Sequence, residues 1–373
     1  MTYIGGLRNH KPVEERKRIA SNLLRLKREI TKQGVPERTV DETLLLASFN
    51  IRDFDSNKFG HGKRLKESFY YLAEMIAAFD LVALQEINDN LSGLTKLMSH
   101  LGTGWDYIAT DTSGNSERMV FVYDKKKVKF RNIAGEIVLP YKSLKRKEFL
   151  DFAKSVEGLS PDEFKKLAYD RDALNPNRQF SRTPFVVSFQ SGWFKFKICT
   201  VHIFYGATSG IKLKRRQREI REVAKFLKKR ADKDKKENYI LLGDFNIVSP
   251  EHKTMEALTG NGFVIPEEIQ KSNVKETMYY DQIAFRLKDQ ELMPKAANVF
   301  TFFNAVYKTN EFETYKPYIK ATSSSAAGKT DADLKKYYKD EWRTFQISDH
   351  KIMWVELKIN FSEKYLKDRK KDS

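Results

Sequence analysis

From Thr43 to residue 358 the chain repeatedly offers a short apolar run of strand length, then a stretch with helical spacing, and several of the runs end on acidic, amide or imidazole side chains. LLLASFNI, LVALQEI, WDYIAT, RMVFVYD, FVVSFQ, FKICTVHIF, YILLGDFNIV, YDQIAF and IMWVELKI read as strands. Between them, residues 63–79 place Leu65, Phe69, Leu72, Met75 and Ile76 on one stripe. Residues 211–231 read as a long basic helix with a core side of Ile220, Val223, Leu227 and Ala231. Strands and helices interleaved in this way specify an α/β architecture. An earlier amphipathic helix over 13–33 carries Ile19, Leu23, Leu26 and Ile30 at helical spacing, and Gly34 and Pro36 close it. We expect residues 1–42 to be a basic helical extension, 43–360 the main domain and 361–373 a basic tail. Two stretches break the rhythm. Residues 141–179 are charged, with a helix start at Ser160-Pro161-Asp162-Glu163, and 306–343 include the small-residue run TSSSAAGKT, which reads as a mobile loop.

Of the 373 residues, 40% are hydrophobic and 13% aromatic, enough for a substantial core. No apolar run approaches the ~20 residues of a membrane span. The net charge of +18 favours a polyanionic partner, nucleic acid above all, through counterion release and steering. Cys199 is the one cysteine, so no intrachain disulfide forms; placed in a strand, it reads as an inert core residue. With no secretory pattern at the start, a reducing, cytoplasmic location is expected.

The strand ends carry the chemistry. Asn50 ends LLLASFN, Glu86 ends LVALQE, Asp244 and Asn246 follow ILLG, Asp349 and His350 precede the last strand, and His202 lies in TVHIF. In an open α/β sheet the strand ends are where loops assemble a site. One Asp after a Gly is an ordinary turn residue, and one His in an apolar strand an ordinary core residue. Several together are different, because carboxylates buried side by side are costly unless a cation neutralises them. The donors are oxygens, without paired Cys or closely spaced His, so the set fits magnesium or manganese and not zinc.

FNIR at 49–52, QE at 85–86, the His of TVH at 202, GDFN at 243–246, YDQI at 280–283 and SDH at 348–350 resemble, in order, the motif set of the endonuclease/exonuclease/phosphatase superfamily. ASFNIRDF, GNSERMVFVYD and FSRTP at 180–184 are similar to stretches of its deoxyribonuclease I branch, although Ser116 stands where that branch has a tyrosine before the catalytic Glu. The resemblance implies a four-layer α/β sandwich, with two face-to-face mixed β-sheets flanked by helices. It implies Glu86 as principal metal ligand, with Asn50 and Asp349 near it, and two acid/base dyads, His350 with Asp281 and His202 with Glu117. It further implies that Asp244 and Asn246 position water and phosphate. Arg52, Arg182 and Asn115 are the candidate substrate contacts, the arginines because a guanidinium binds two oxygens at once. The expected activity is Mg²⁺-dependent hydrolysis of phosphodiesters, with DNA as substrate. A small-molecule or RNA phosphoesterase and a non-catalytic nucleic-acid-binding protein that keeps the fold are the alternatives.

Overall fold

The structure is a computed structural model and describes residues 2–139, 157–158, 160–163, 179–234, 236–268 and 270–371. Its strands are β1 (Thr43–Phe54), β2 (Leu81–Asn88), β3 (Trp105–Ala109), β4 (Glu117–Asp124), β5 (Lys129–Glu136), β6 (Phe185–Ser191), β7 (Phe194–His202), β8 (Asn238–Asp244), β9 (Asp281–Arg286), β10 (Ala296–Phe300) and β11 (Ile352–Lys358). They form a six-stranded sheet in the order β10-β11-β1-β2-β4-β3 and a five-stranded sheet in the order β5-β6-β7-β8-β9. Both are mixed: β1–β2 and β7–β8 are parallel, the other pairs antiparallel.

Side chains alternate between the faces of a strand, and here both faces of the central strands are buried. Leu44 and Leu46 of β1 point between the sheets, where they meet Leu81, Phe121, Val187, Phe196, Ile240 and Ile283. Leu45, Ala47, Phe49 and Ile51 point the other way, into a core with α1 (Val13–Lys32), α2 (Lys66–Ala77) and α3 (Ser92–Leu101). On the far side, Cys199, Val201, Tyr239 and Leu241 pack beneath α4 (Gly210–Lys233) and α5 (Lys253–Thr259). That double burial is why the strands read as continuous apolar runs. The expected four layers are present. Cys199 is 1% exposed and burial pushes its thiol pKa well up, which keeps it unreactive.

β5 and β10 escape a reading based on apolar runs: β5 is exposed along most of its length, and the short β10, AANVF, has only two large apolar residues. The basic tail forms α9 (Ser362–Lys371), and most of 141–179 lies outside the described residues. Ser160 and Glu163 are among the described ones and make the reciprocal cap of a helix start: the Glu163 N–H donates to Ser160 Oγ (3.3 Å) and the Ser160 N–H to Glu163 Oε2 (2.9 Å).

The stretch 306–343 does not behave as expected. It builds α6 (Phe312–Thr322), α7 (Asp331–Tyr337), a π-helical turn over Tyr338–Trp342 and α8 (Arg343–Gln346). Tyr307, Tyr315, Tyr338 and Trp342 pack ring against ring at 4.7–6.0 Å. α1 closes over this layer, with Arg18 donating to the Tyr318 hydroxyl (3.3 Å) and Arg25 paired with Glu311 (2.5 Å). TSSSAAGKT is not a free loop. The Ser323 hydroxyl and Ser325 N–H donate to the Gly60 carbonyl (2.9 and 3.1 Å), and the Ser325 hydroxyl to the Phe59 carbonyl (2.8 Å). Small residues are used here because two loops meet backbone to backbone. Trp342→Ala removes a fully buried ring from this cluster. Denaturant unfolding is expected to show a loss of about 3–5 kcal/mol.

Candidate active site

Strand register assembles the site. In the five-stranded sheet His202 pairs with Asp244 across β7–β8, and Asp244 with Asp281 across β8–β9, so three polar side chains form one row. Gly243 makes the row possible. At φ +128°, a Cβ there would stand 2.1 Å from the Val201 carbonyl, so only glycine lets β8 come this close to β7. In the six-stranded sheet Asn50 pairs with Gln85, one residue before Glu86, and Asn88 pairs with Glu117. Gln85 bridges the sheets, its amide donating to Thr200 Oγ1 (2.9 Å), which brings the two rows face to face.

The backbone at this edge is strained. Arg52, Asp53, Asp55, Glu86, Asn115, Ser116 and Asn246 have positive φ, seven of the ten such non-glycine residues among those described. Conformations of this kind cost of order 1 kcal/mol or more each and cluster where function requires them. Buried arginines hold these loops. Arg64 donates to the carbonyls of Ile51 (2.7 Å), Arg52 (2.8 Å) and Asp53 (3.1 Å), and burial pulls its pKa down to about 10. Arg216 is fully buried and donates to the carbonyls of Tyr205 (2.9 Å), Ala207 (2.7 Å) and Asn246 (2.9 Å). It therefore ties the segment after His202 to the segment after Asp244. Nothing in the basic run 211–231 distinguishes Arg216 from its neighbours, because its role is set by what lies under the helix.

The structure brings together the residues of each expected pair. His350 Nδ1 lies 2.7 Å from Asp281 Oδ2, which is inaccessible to solvent. Ser348 sets the approach: its hydroxyl donates to the Asn50 carbonyl (2.6 Å) and accepts from the His350 N–H (2.9 Å). Burial disfavours a charge on His350, but Asp281, with Asp244 and Asp349 beside it, raises the pKa well above the ordinary imidazole value. Burial raises Asp281 as well, against the pull of His350. His202 Nδ1 lies 2.9 Å from Glu117 Oε2 without the alignment of a full hydrogen bond.

Arg182 grips Glu117 in bidentate fashion (2.7 and 3.2 Å). Burial opposes ionisation of Glu117, but His202 and then Arg182 outweigh it and hold the carboxyl at about 2. A depressed carboxyl stabilises the fold fully above its unfolded value of about 4.5 and loses that contribution as pH falls towards 2. The wild type is therefore expected to lose stability across this window faster than Glu117→Gln, by at most about 3 kcal/mol, as read by chemical denaturation at each pH.

Asn50 Nδ2 donates to both Glu86 Oε1 (2.8 Å) and Asp244 Oδ2 (3.1 Å), while its Oδ1 accepts the Arg52 N–H (3.0 Å). Two carboxylates thus converge on one neutral amide NH₂. Burial raises the pKa of Glu86; the His202 charge opposes this, and Glu117 and Asp349 add to it. An acidic oxygen pole of this kind suits a hard divalent cation, with Glu86 as the natural ligand. Asp349 is half exposed beside it. Among the described residues no three His, Cys, Asp or Glu side chains are grouped as ready ligands, so coordination would draw on substrate oxygens and water; Asn50 turns its amide N–H toward this point and keeps Oδ1 on the Arg52 N–H, so it would join only with its amide turned over. Asp244 Oδ1 accepts the Asn246 N–H (2.9 Å), and the Asn246 amide donates to the Ile203 carbonyl (2.8 Å).

The candidate phosphate clamps are at the site, but with their guanidinium groups engaged. Arg182 is spent on Glu117. Arg52 contacts Thr344, Glu341 (3.2 Å) and Asp349 (3.6 Å) and lies over the Phe345 ring at 3.9 Å. Asn115 is exposed in the turn before β4, where the Gly114 Cα packs against the Ser181 carbonyl too closely to admit a Cβ.

No protein-family model matches the chain. It is 25% identical over 293 residues to deoxyribonuclease gamma of Rattus norvegicus, covering 73% of this chain and 80% of that protein. An endonuclease/exonuclease/phosphatase family protein from Bacteroides thetaiotaomicron superposes with a TM-score of 0.51 at 17% identity, over 86% of this chain and 97% of that one. The endonuclease/exonuclease/phosphatase from Bacteroides vulgatus gives 0.50 at 13% identity, over 85% and 99%. The chain thus has the fold of the endonuclease/exonuclease/phosphatase proteins, and its sequence likeness to a deoxyribonuclease agrees with the deoxyribonuclease I branch among them.

Proposed function

We propose that this protein is a metal-dependent phosphodiesterase that cleaves nucleic-acid backbones as an endonuclease, with DNA as substrate and Mg²⁺ or Mn²⁺ as cofactor. One observation carries the reading: His202 Nε2 and His350 Nε2 lie 3.6 and 3.8 Å from the same atom, Asp244 Oδ2. Two imidazole edges thus face one point, and each ring has its own carboxylate behind it. Displacement at phosphorus needs an acceptor for the proton of water and a donor for the leaving oxygen. His350, raised by Asp281, suits the donor role, and His202 beside Glu117 the acceptor role. Asp244, oriented by the Asn246 N–H, holds the water between them. A divalent cation at Glu86, with Asn50 and Asp349 beside it, supplies charge neutralisation on the phosphoryl oxygens when bound. Arg182 positions Glu117, while Arg52 and Asn115 border the space for the substrate backbone.

The net charge of +18 and the likeness to deoxyribonuclease gamma support a nucleic-acid substrate over a small phosphoester. Among the described residues no helix is long and apolar enough to cross a membrane, and one buried cysteine suits a reducing compartment such as the cytoplasm. Supercoiled plasmid and a single-stranded DNA oligonucleotide, each incubated with Mg²⁺ or Mn²⁺ and with EDTA, test the proposal. Metal-dependent cleavage of DNA is expected. Both DNAs left intact with both metals, alongside turnover of a phosphomonoester, would replace the nuclease with a small-molecule phosphatase.

A further inference from the structure

Two exposed aromatic rings border the catalytic edge, one from each sheet. Phe59, 54% exposed, lies in the loop after β1, and Tyr205, 41% exposed, in the loop after β7. A single exposed aromatic is ordinary. These two are both mounted on fixed backbone and linked by side chains to the site.

The Phe59 carbonyl accepts from the Ser325 hydroxyl, and the next carbonyl, of Gly60, accepts from Ser323 and Ser325. Its ring packs 5.8 Å from Phe345, the ring over which Arg52 lies. The Lys58 ammonium stands 5.0 Å from the Phe59 ring, and Arg52 reaches Asp349 at 3.6 Å. On the opposite side, Arg216 holds the Tyr205 carbonyl. The Tyr205 ring meets Tyr280 edge to face at 6.2 Å, and Tyr280 lies 5.7 Å from the His350 ring. The stretch 306–343 thus contributes the anchor of one ring, and the one buried arginine of α4 the anchor of the other.

We infer that the substrate is an unpaired nucleic-acid strand, laid across the edge between the two sheets, with bases on either side of the scissile phosphate stacked on Phe59 and Tyr205. The inference rests on the nuclease reading for the position of that phosphate. In a duplex each base face is already covered by its neighbours, so a ring beside the backbone finds no base to stack on. An unpaired strand offers a π-face at every base, whatever the sequence. Because both loops are pinned beforehand, little conformational freedom remains to be lost on binding. The aromatic contacts predict indifference to base identity and sensitivity to strandedness.

Binding is measured first in EDTA, where no turnover intervenes, with a single-stranded DNA oligonucleotide carrying 2-aminopurine, the RNA of the same sequence, and the DNA duplex. The wild type is expected to quench the 2-aminopurine of the single strand and to bind it more tightly than the duplex. Phe59→Leu and Tyr205→Leu should each weaken single-strand binding by roughly tenfold, and Phe59→Trp and Tyr205→Trp should restore it. Duplex binding should be unmoved. The DNA and RNA arms identify the sugar. Single-strand affinity unchanged in both leucine variants, or lost equally for single strand and duplex, would overturn the inference. A wild type that binds and quenches the single strand but hydrolyses no phosphodiester would refute the nuclease reading while leaving the stacking surface established.

Discussion

His350→Ala is expected to retain the fold and to lose phosphodiester hydrolysis by roughly 10²–10⁴-fold, the usual contribution of a positioned acid or base. The ring lies at the end of a hydrogen-bonded series that starts in the other half of the motif set: the Ser348 hydroxyl joins the Asn50 carbonyl to the His350 N–H, and Asp281 fixes Nδ1. Removing the imidazole leaves Asp281 buried without its partner and with its pKa driven up further, so it becomes protonated instead of remaining as a stranded charge. The fold should therefore survive. Initial rates on a labelled oligonucleotide, with circular dichroism as the control for folding, measure the effect. A rate within threefold of the wild type would remove His350 from the chemistry. Asp281→Asn should fall in the same direction, because the imidazole keeps a neighbour but loses the charge that keeps it protonated.

Glu86→Gln should separate metal binding from folding. Burial, with Glu117 and Asp349 nearby, disfavours the Glu86 charge, whereas the glutamine NH₂ would face one of the N–H donors, of Asn50 or Asp53, that a carboxylate oxygen now accepts; in EDTA the two effects oppose, and the variant is expected to melt within a few degrees of the wild type. With millimolar Mg²⁺ the wild type should rise above it. A ligand at a hundred times its dissociation constant stabilises the wild type by about 2.7 kcal/mol, and a variant without the principal carboxylate gains little. Activity should fall by about 10²-fold or more with the metal. Thermal melts of both proteins, with and without Mg²⁺, are the measurement; equal Mg²⁺-induced shifts would show that Glu86 is not the metal ligand. The backbone adds a reason to expect specificity at this residue. Glu86 has φ +62°, and its Oε2 accepts the N–H of Asp53, itself at positive φ, so the carboxylate is held by a loop that Arg64 locks from below.

How far the chain could be read without coordinates depended on burial. Leu44 to Ile51 announced a strand because both of its faces are covered, one by the opposite sheet and one by helices. β5 was silent because most of its length is exposed, and β10 because it is short and carries only two large apolar residues. TSSSAAGKT read as mobile because small polar residues make loops. Its serines are small for another reason, the close approach of the Gly60 backbone, which lies more than 260 positions away. Arg182 and Arg52 looked like phosphate clamps because a free guanidinium suits phosphate. Only tertiary structure revealed Glu117 under one, and Phe345 and Glu341 beside the other.

The sequence by itself determined the α/β layering and the strand ends that bear polar groups, since these follow from periodicity and burial within single segments. Tertiary structure alone decided that His202, Asp244 and Asp281 stand in one row, that Gln85 joins that row to Glu86, and that Arg216 and Ser325 fix the loops around them. Those contacts join residues up to hundreds of positions apart, and their energies depend on register and close packing, which no local pattern of residues encodes.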